Sequence, residues 1–373
     1  MSNERRIYTL EGLTPEVRAV CFAKCSRSPE SFDEIAKELT EEKSAEFHEK
    51  WVVGYGHSSV AEHAVLSIAM ENVSILATKV IEDNRLASYT EKSTRYQIFD
   101  KNRYLKPTRL MQSELGIEYE QAADFLFDTY EKLSKPMAEF IKNREPKAAK
   151  TPEKMYESVV KAKVCDNIRY LLPTATLTNL GMTLNARNLD WAITKLLSHP
   201  LEEMQEIGSQ LKMEAMKITP TLEKFAAKNA YLTETNKELA HLSQWIFKNE
   251  APQMDRAVYP VKSAEGCAPA EQFNRVKIAD YDKDAENKLI AALLYKSSRL
   301  PYSQIKEKVD VIPRSIKELI IDEALKRRSP YDRPLRELEH IYYTFDILMD
   351  YGAFRDVQRH RMATQTNQDV TTA

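Results

Sequence analysis

The chain repeats itself across a long gap, and that constrains its fold more than any other feature. Lys24-Cys25-Ser26-Arg27-Ser28-Pro29 is echoed by Lys296-Ser297-Ser298-Arg299-Leu300-Pro301, each behind an apolar helical pattern and ahead of an amphipathic one. Glu62-His63 and the alternating stretch behind it match Glu339-His340 and Ile341 to Met349. Asp83-Asn84-Arg85-Leu86-Ala87-Ser88 lines up with Arg359-His360-Arg361-Met362-Ala363-Thr364. Three matches in one order at nearly one offset make the repeat the unit to be packed. The expected division is a first copy over 1–248, a polar, proline-containing linker over 249–284, and the N-terminal part of a second copy over 285–373. The second copy has no counterpart of anything beyond residue 97, so it reads as a domain cut short.

Periodicity then supplies the elements of one copy. Val17 to Ala23 and Phe32 to Trp51 carry apolar residues three or four apart, which predicts helix. Ala64 to Met70 alternates, with Ala64, Leu66, Ile68 and Met70 on one face and Val65, Ser67 and Ala69 on the other, which predicts a strand. Ser74 is placed to cap a helix over Ile75 to Glu82. Helices are expected over about 116–143, 152–171, 188–197 and 201–227, and a second strand over Thr176 to Leu184. The fold class that follows is α+β: a small, mostly antiparallel twisted sheet flanked by long helices, made twice.

Charge and glycine content narrow the partners. Lys and Arg number 54 against 56 Asp and Glu, a net charge of -2, so no electrostatic footprint for nucleic acid or a membrane surface is expected. No apolar run reaches the length of a membrane span. Met1 to Arg6 does not have the pattern of a signal peptide, and the expected compartment is cytoplasmic. No metal is expected: Cys21 and Cys25 read as small buried residues, and Glu62-His63 and Glu339-His340 as polar residues at strand starts. With 8 glycines in 373 residues, a phosphate would be held by side chains. Gly54-Tyr55-Gly56-His57 lacks the third glycine and the preceding strand of a dinucleotide loop.

The densest polar cluster is Arg85-Leu86-Ala87-Ser88-Tyr89-Thr90-Glu91-Lys92-Ser93-Thr94-Arg95-Tyr96. Arg85 and Arg95 offer bidentate guanidiniums, Ser88 and Ser93 hydroxyls, and Glu91 an acceptor for an imide or a ribose hydroxyl. On spacing alone a charged surface loop reads as well. The order of these residues resembles the R-H-R-x-x-S and E-x-S-x-R-Y segments of the flavin-dependent thymidylate synthases. His57-Ser58-Ser59-Val60-Ala61-Glu62-His63 is similar to that family's H-x-S-x-x-E-H, Ile168 to Pro173 to its A-R-x-x-L-P, and Asn185-Ala186-Arg187-Asn188-Leu189 to its N-x-R-x-L. The resemblance runs from about residue 8 to 228.

It implies reductive methylation of dUMP to dTMP, with FAD as cofactor and NAD(P)H and methylenetetrahydrofolate as co-substrates, in a homo-oligomer. It assigns catalysis to Arg85, Ser88 and Arg361, flavin binding to His57, Asn185, Arg187, Arg359, His360 and Arg361, and nucleotide binding to Glu91, Ser93, Arg95 and Arg169. Two departures stand out. Asp83-Asn84 replaces Arg-His in copy one, and an arginine expected near Leu196 is absent, with Lys195 beside it. Copy two keeps Arg359-His360-Arg361 but has Thr364, Asn367 and Asp369 where copy one has Ser88, Glu91 and Ser93. The expectation is one site divided between unequal copies. The alternative is a paralogue that binds flavin or nucleotide, or serves only in assembly, without turnover.

Overall fold

The computed structural model describes residues 5–54, 58–248 and 275–370. They form two compact units: Met1–Lys248 with Tyr351–Ala373, and Asn249–Asp350. Residues 351–370, read from sequence with the second copy, thus belong to the first unit.

The first unit begins with α1 (Pro15–Cys25), α2 (Phe32–Glu38) and α3 (Glu41–Phe47). The single helical pattern expected over Phe32 to Trp51 is therefore broken. Ser31 and Glu34 form a capping box, Leu39 is extended, and Thr40 starts a new helix by accepting from Lys43 N–H. A π-helical turn, His48–Gly54, follows, and a 3-10 turn, Ser58–His63, leads into β1 (Val65–Ser74). Ser74 ends that strand and caps α4 (Ile75–Ile81), its Oγ accepting from Ala77 N–H, as the sequence predicts. β2 (Ala87–Glu91) lies inside the polar cluster, where no strand is expected from hydrophobicity. Then come the short α5 (Thr108–Met111), the long α6 (Gly116–Arg144), α7 (Glu153–Ile168), β3 (Leu177–Asn185), α8 (Ala186–Leu197), α9 (Glu202–Met216) and α10 (Ala230–Ile246).

The sheet is antiparallel in the order β1-β3-β2, so β3 is central. Period two decides its faces. Leu66 and Met70 of β1 and Leu180, Met182 and Leu184 of β3 are buried against α8 and α9 through Leu189, Ile193, Leu196, Met204, Ile207 and Leu211. Gly208 lets those two helices close up: a Cβ there would stand 3.0 Å from Leu196 Cβ and 3.1 Å from Leu197 N.

The second unit opens with β4 (Val276–Tyr281), so the expected linker ends sooner than its composition implies. Val276 and Ile278 alternate with polar residues and pair antiparallel with a later strand. The rest of that linker, 249–274, lies outside the described residues. α11 (Ala285–Tyr295), α12 (Tyr302–Val311) and α13 (Arg314–Leu325) pack around Ile290, Ala291, Ile305 and Val309. A 3-10 turn, Arg336–His340, precedes β5 (Tyr343–Ile347), the partner of β4. Back in the first unit, α14 (Tyr351–Val357) follows. Apart from the π-helical turn, the order of three helices, a 3-10 turn, a strand and a helix that runs from α1 to α4 recurs from α11 to α14.

Candidate functional site

The site forms where α14 and the residues behind it meet α4 and β2. Tyr351 donates its hydroxyl to Ile75 O at 2.9 Å, and Gln358 donates to Lys79 O at 2.6 Å. Both lock the later segment onto α4. β2 then turns its odd residues inward, so Ala87 and Tyr89 pack on the core and Glu91 is buried, with 3% of its side chain exposed.

A buried carboxylate needs a partner, and segment 355–359 supplies it. Arg355, 14% exposed, donates to Glu91 Oε1 at 2.5 Å and to Thr94 Oγ1 at 3.4 Å. Arg359 approaches the other carboxylate oxygen at 3.8 Å. Arg355 is carried by α14 and Arg359 by the turn behind it, and both guanidiniums turn toward the one carboxylate. Arg361 crosses Tyr89, its guanidinium 5.4 Å from the ring centre, and donates to Arg85 O at 3.2 Å. Arg85 in turn donates to Thr364 Oγ1 at 2.9 Å. The Tyr89 hydroxyl donates to Ile81 O at 2.9 Å, and burial pushes its pKa up to about 12.

Beneath lies Glu82, buried, with Oε1 lacking any hydrogen-bond partner. Burial first, then the charge of Glu91, raises its pKa to about 7, against the pull of Arg359, Arg355 and Arg361. A second carboxylate relay adjoins. Asp166 faces Arg95 at 3.1 Å and Arg169 at 3.3 Å, and Arg169 reaches Asp356 at 3.6 Å. Ser93 Oγ accepts from Arg95 N–H at 3.2 Å. Arg169 Nε is within ion-pair distance of Asp166 but is not aligned for a hydrogen bond, and Arg355 Nε has no acceptor either.

The expected residues therefore fall into three sets of contacts, Glu91 with Arg359, Arg85 with Arg361, and Ser93 and Arg95 with Arg169, carried by β2, the residues after it and the segment from α14 onward, while His360 is exposed, three residues beyond α14. Other expected residues stand apart. Ser88 is on the opposite face from Glu91, exposed, beside Thr183, whose Oγ1 lies 3.0 Å from Ser67 Oγ. Asn185 spends its side chain capping α8, accepting from Asn188 N–H at 3.0 Å, and Arg187 is ion-paired to Glu62. Glu91 pairs with Leu180 and Asn185 with Val65, so these two groups sit five residues apart along β3, roughly 16 Å at the strand rise. His57 lies outside the described residues.

Glu82, Asp166, Arg355 and Asp356 were not singled out from sequence. The one available signal was Arg355 four residues ahead of Arg359. Asp83 is not the buried obstacle to phosphate that its acidity suggests. It is 71% exposed and is met by Lys195, which donates to its carbonyl oxygen at 2.8 Å and lies 3.4 Å from its carboxylate.

Residues 10–221 match the family model described as thymidylate synthase complementing protein. The chain belongs to that family. A UPF0159 protein of Chlamydia pneumoniae is 31% identical to it over 392 residues, covering 98% of this chain and 72% of that protein. A flavin-dependent thymidylate synthase of Clostridium tetani is 28% identical over 221 residues, 57% of this chain and 82% of that enzyme. A solved flavin-dependent thymidylate synthase from Helicobacter pylori, complexed with FAD and dUMP, covers 58% of this chain and 96% of its own at 18% identity and a TM-score of 0.39.

Proposed function

We propose that the protein is a flavin-dependent thymidylate synthase, methylating the uracil ring of dUMP reductively with methylenetetrahydrofolate as carbon donor, FAD as cofactor and NAD(P)H as reductant. The observation that carries this reading is the meeting of Arg355 and Arg359 with buried Glu91. It joins the segment that resembles the family's flavin-side motif to the strand that resembles its nucleotide-side motif. Family membership and the likeness to the Clostridium tetani enzyme support the same reading.

The donor set suits anionic ligands. Arg355 Nε and Arg169 Nε are buried donors without a hydrogen-bond acceptor, which a phosphate would satisfy. In this reading Arg95 and Arg169 take the nucleotide phosphate, exchanging Asp166 for it, while Ser93 and Glu91 fix the base and sugar. Arg359, His360 and Arg361 hold the pyrophosphate and ring of the flavin, with Arg85 and Arg361 nearest the reacting base and Asn185 and Arg187 toward the far end, while Ser88, on the other face of β2, stands outside this pocket. When bound, the flavin supplies the hydride; the residues supply position and charge. Glu82 can hold or release a proton near neutral pH beside the three arginines. The reading includes a tandem origin, with residues 285–373 as part of a second copy after a linker, and assembly into a homo-oligomer. The recurring order of elements supports the tandem origin.

Arg359→Ala and Arg95→Ala in the full chain test it. Each is expected to lower both flavin retention, read from visible absorbance, and dUMP affinity, read by titration calorimetry, by about tenfold or more. Survival of both kinds of binding after either change refutes the divided site. A second reading, a binding paralogue without turnover, is favoured by Asp83-Asn84 and the Lys195 contact that occupies Asp83. It is distinguished by intact binding of both ligands with no dTMP formed.

A further inference from the structure

A cavity of about 320 Å³ opens at the C-terminal end of α4, lined by Lys79, Asp83, Lys195, His199, Asn236 and Asn367 among others. Its place follows from the divided-site reading. The alignment that sets Asp83 on Arg359 also sets Lys79 on Arg355, Glu82 on Gln358 and Glu91 on Asn367. Gln358 donates to Lys79 O. Tyr351, which the same alignment sets on Ile75, donates to Ile75 O. A contact between equivalent positions is what a two-fold arrangement of the two segments places near its axis. The partner of the Glu91–Arg359 site under that two-fold is the space between Asn367 and Asp83, and this cavity has both in its wall.

The wall has been rebuilt with different chemistry. Asn367 has replaced the carboxylate, and the cationic groups come from α4 and the α8 end. Lys195 is fixed by Asp83. Lys79 is met by an aromatic face, Nζ lying 5.8 Å from the Phe354 ring centre. His199 Nδ1 accepts from Leu201 N–H at 3.2 Å, so Nε2 carries the proton and is a donor. Burial and then the Lys79 charge lower the pKa of this imidazole, against Asp369. Two ammoniums, an imidazole N–H and three carboxamides, of which Gln365 is engaged with Val357 O and His360 O, around one carboxylate make a donor-rich wall suited to a tetrahedral anion. The volume is at the lower end for small-molecule sites, enough for a phosphorylated sugar or nucleoside monophosphate and too small for a dinucleotide.

We propose that this cavity is a second binding site, distinct from the Glu91–Arg359 site, for a small phosphate monoester. The inference rests on the divided-site reading for its location and on its own lining for its ligand. The test is titration of the full chain with inorganic phosphate and with dUMP, in wild type and in Lys79→Ala, Lys79→Arg, His199→Gln and Arg359→Ala. Wild type is expected to take two equivalents of dUMP. Lys79→Ala and His199→Gln should each weaken one of them by about tenfold, with Lys79→Arg retaining it and Arg359→Ala weakening only the other. The proposal is overturned if Lys79→Ala leaves phosphate and dUMP binding unchanged, or if Arg359→Ala abolishes all phosphate binding. The second outcome leaves the divided site standing. Loss of an equivalent in Lys79→Ala but none in Arg359→Ala supports the cavity and removes the divided site.

Discussion

Glu223 is fully buried and neither carboxylate oxygen has a hydrogen-bond partner. Around it stand Asp190, Glu16, whose carboxylate accepts from Thr221 and Leu222 N–H, and Lys212, whose ammonium is given to Lys224 O and Ala226 O. Burial first, then Asp190 and Glu16, raise its pKa from 4.5 to about 9. The folded chain therefore binds a proton that the unfolded chain has lost between those values, and stability must fall as pH rises across that window. Asp190 and Glu16 are shifted upward by burial too and act in the same sense. Glu223→Gln removes the ionisable proton at nearly constant shape. It should stabilise the protein at pH 8 by on the order of 2–4 kcal/mol and change little at pH 5, measured by thermal melts at both values. An unchanged slope of melting temperature with pH would show that Glu223 does not titrate in this range.

Between α8 and α9 the packing depends on a missing side chain. With Leu196 Cβ and Leu197 N standing 3.0 and 3.1 Å from an added Cβ, Gly208→Ala has to push the helices apart. It is expected to cost about 1–3 kcal/mol, despite the better helix propensity of alanine, by chemical denaturation. A neutral result would mean the α8–α9 contact yields freely. At this scale much of the fold was legible. Alternation from Ala64 to Met70 placed β1, the Ser74 cap placed the start of α4, and apolar spacing placed α6 to α8 and the start of α9, though α9 stops at Met216 rather than running to Ala227. β2 was not legible because periodicity is read from hydrophobicity, and its third inward residue is Glu91. That carboxylate faces inward because Arg355 and Arg359 arrive from far along the chain, and no local pattern contains them. The same distance hid Asp356 as a neighbour of Arg169. The site residues were partly legible as types in order. Which face of β2 each would occupy was not, and so Ser88 and Glu91 were placed in one pocket although they lie on opposite sides of the sheet.

For the molecule as a whole, the closest tie between the two ends of the sequence in the first unit is the buried pair of Glu91 and Arg355, reinforced by Tyr351 on Ile75 O. Removing one member leaves a buried charge uncompensated, so Glu91→Ala and Arg355→Ala should each destabilise by about 3–5 kcal/mol. The double variant should cost less than their sum, with a coupling on the order of 1–3 kcal/mol from the urea unfolding of the four proteins. Strict additivity would mean that the two side chains do not interact in solution.

The packing of α14 on α4 also bears on how such a molecule can change. Identical chains meeting across an axis inherit every substitution twice, so neither flank can be altered alone. Here the two flanks are encoded by separate stretches of one gene. Under the proposed tandem origin, Asp83 can arise without touching Arg359, and Asn367 without touching Glu91, so each flank is free to change alone.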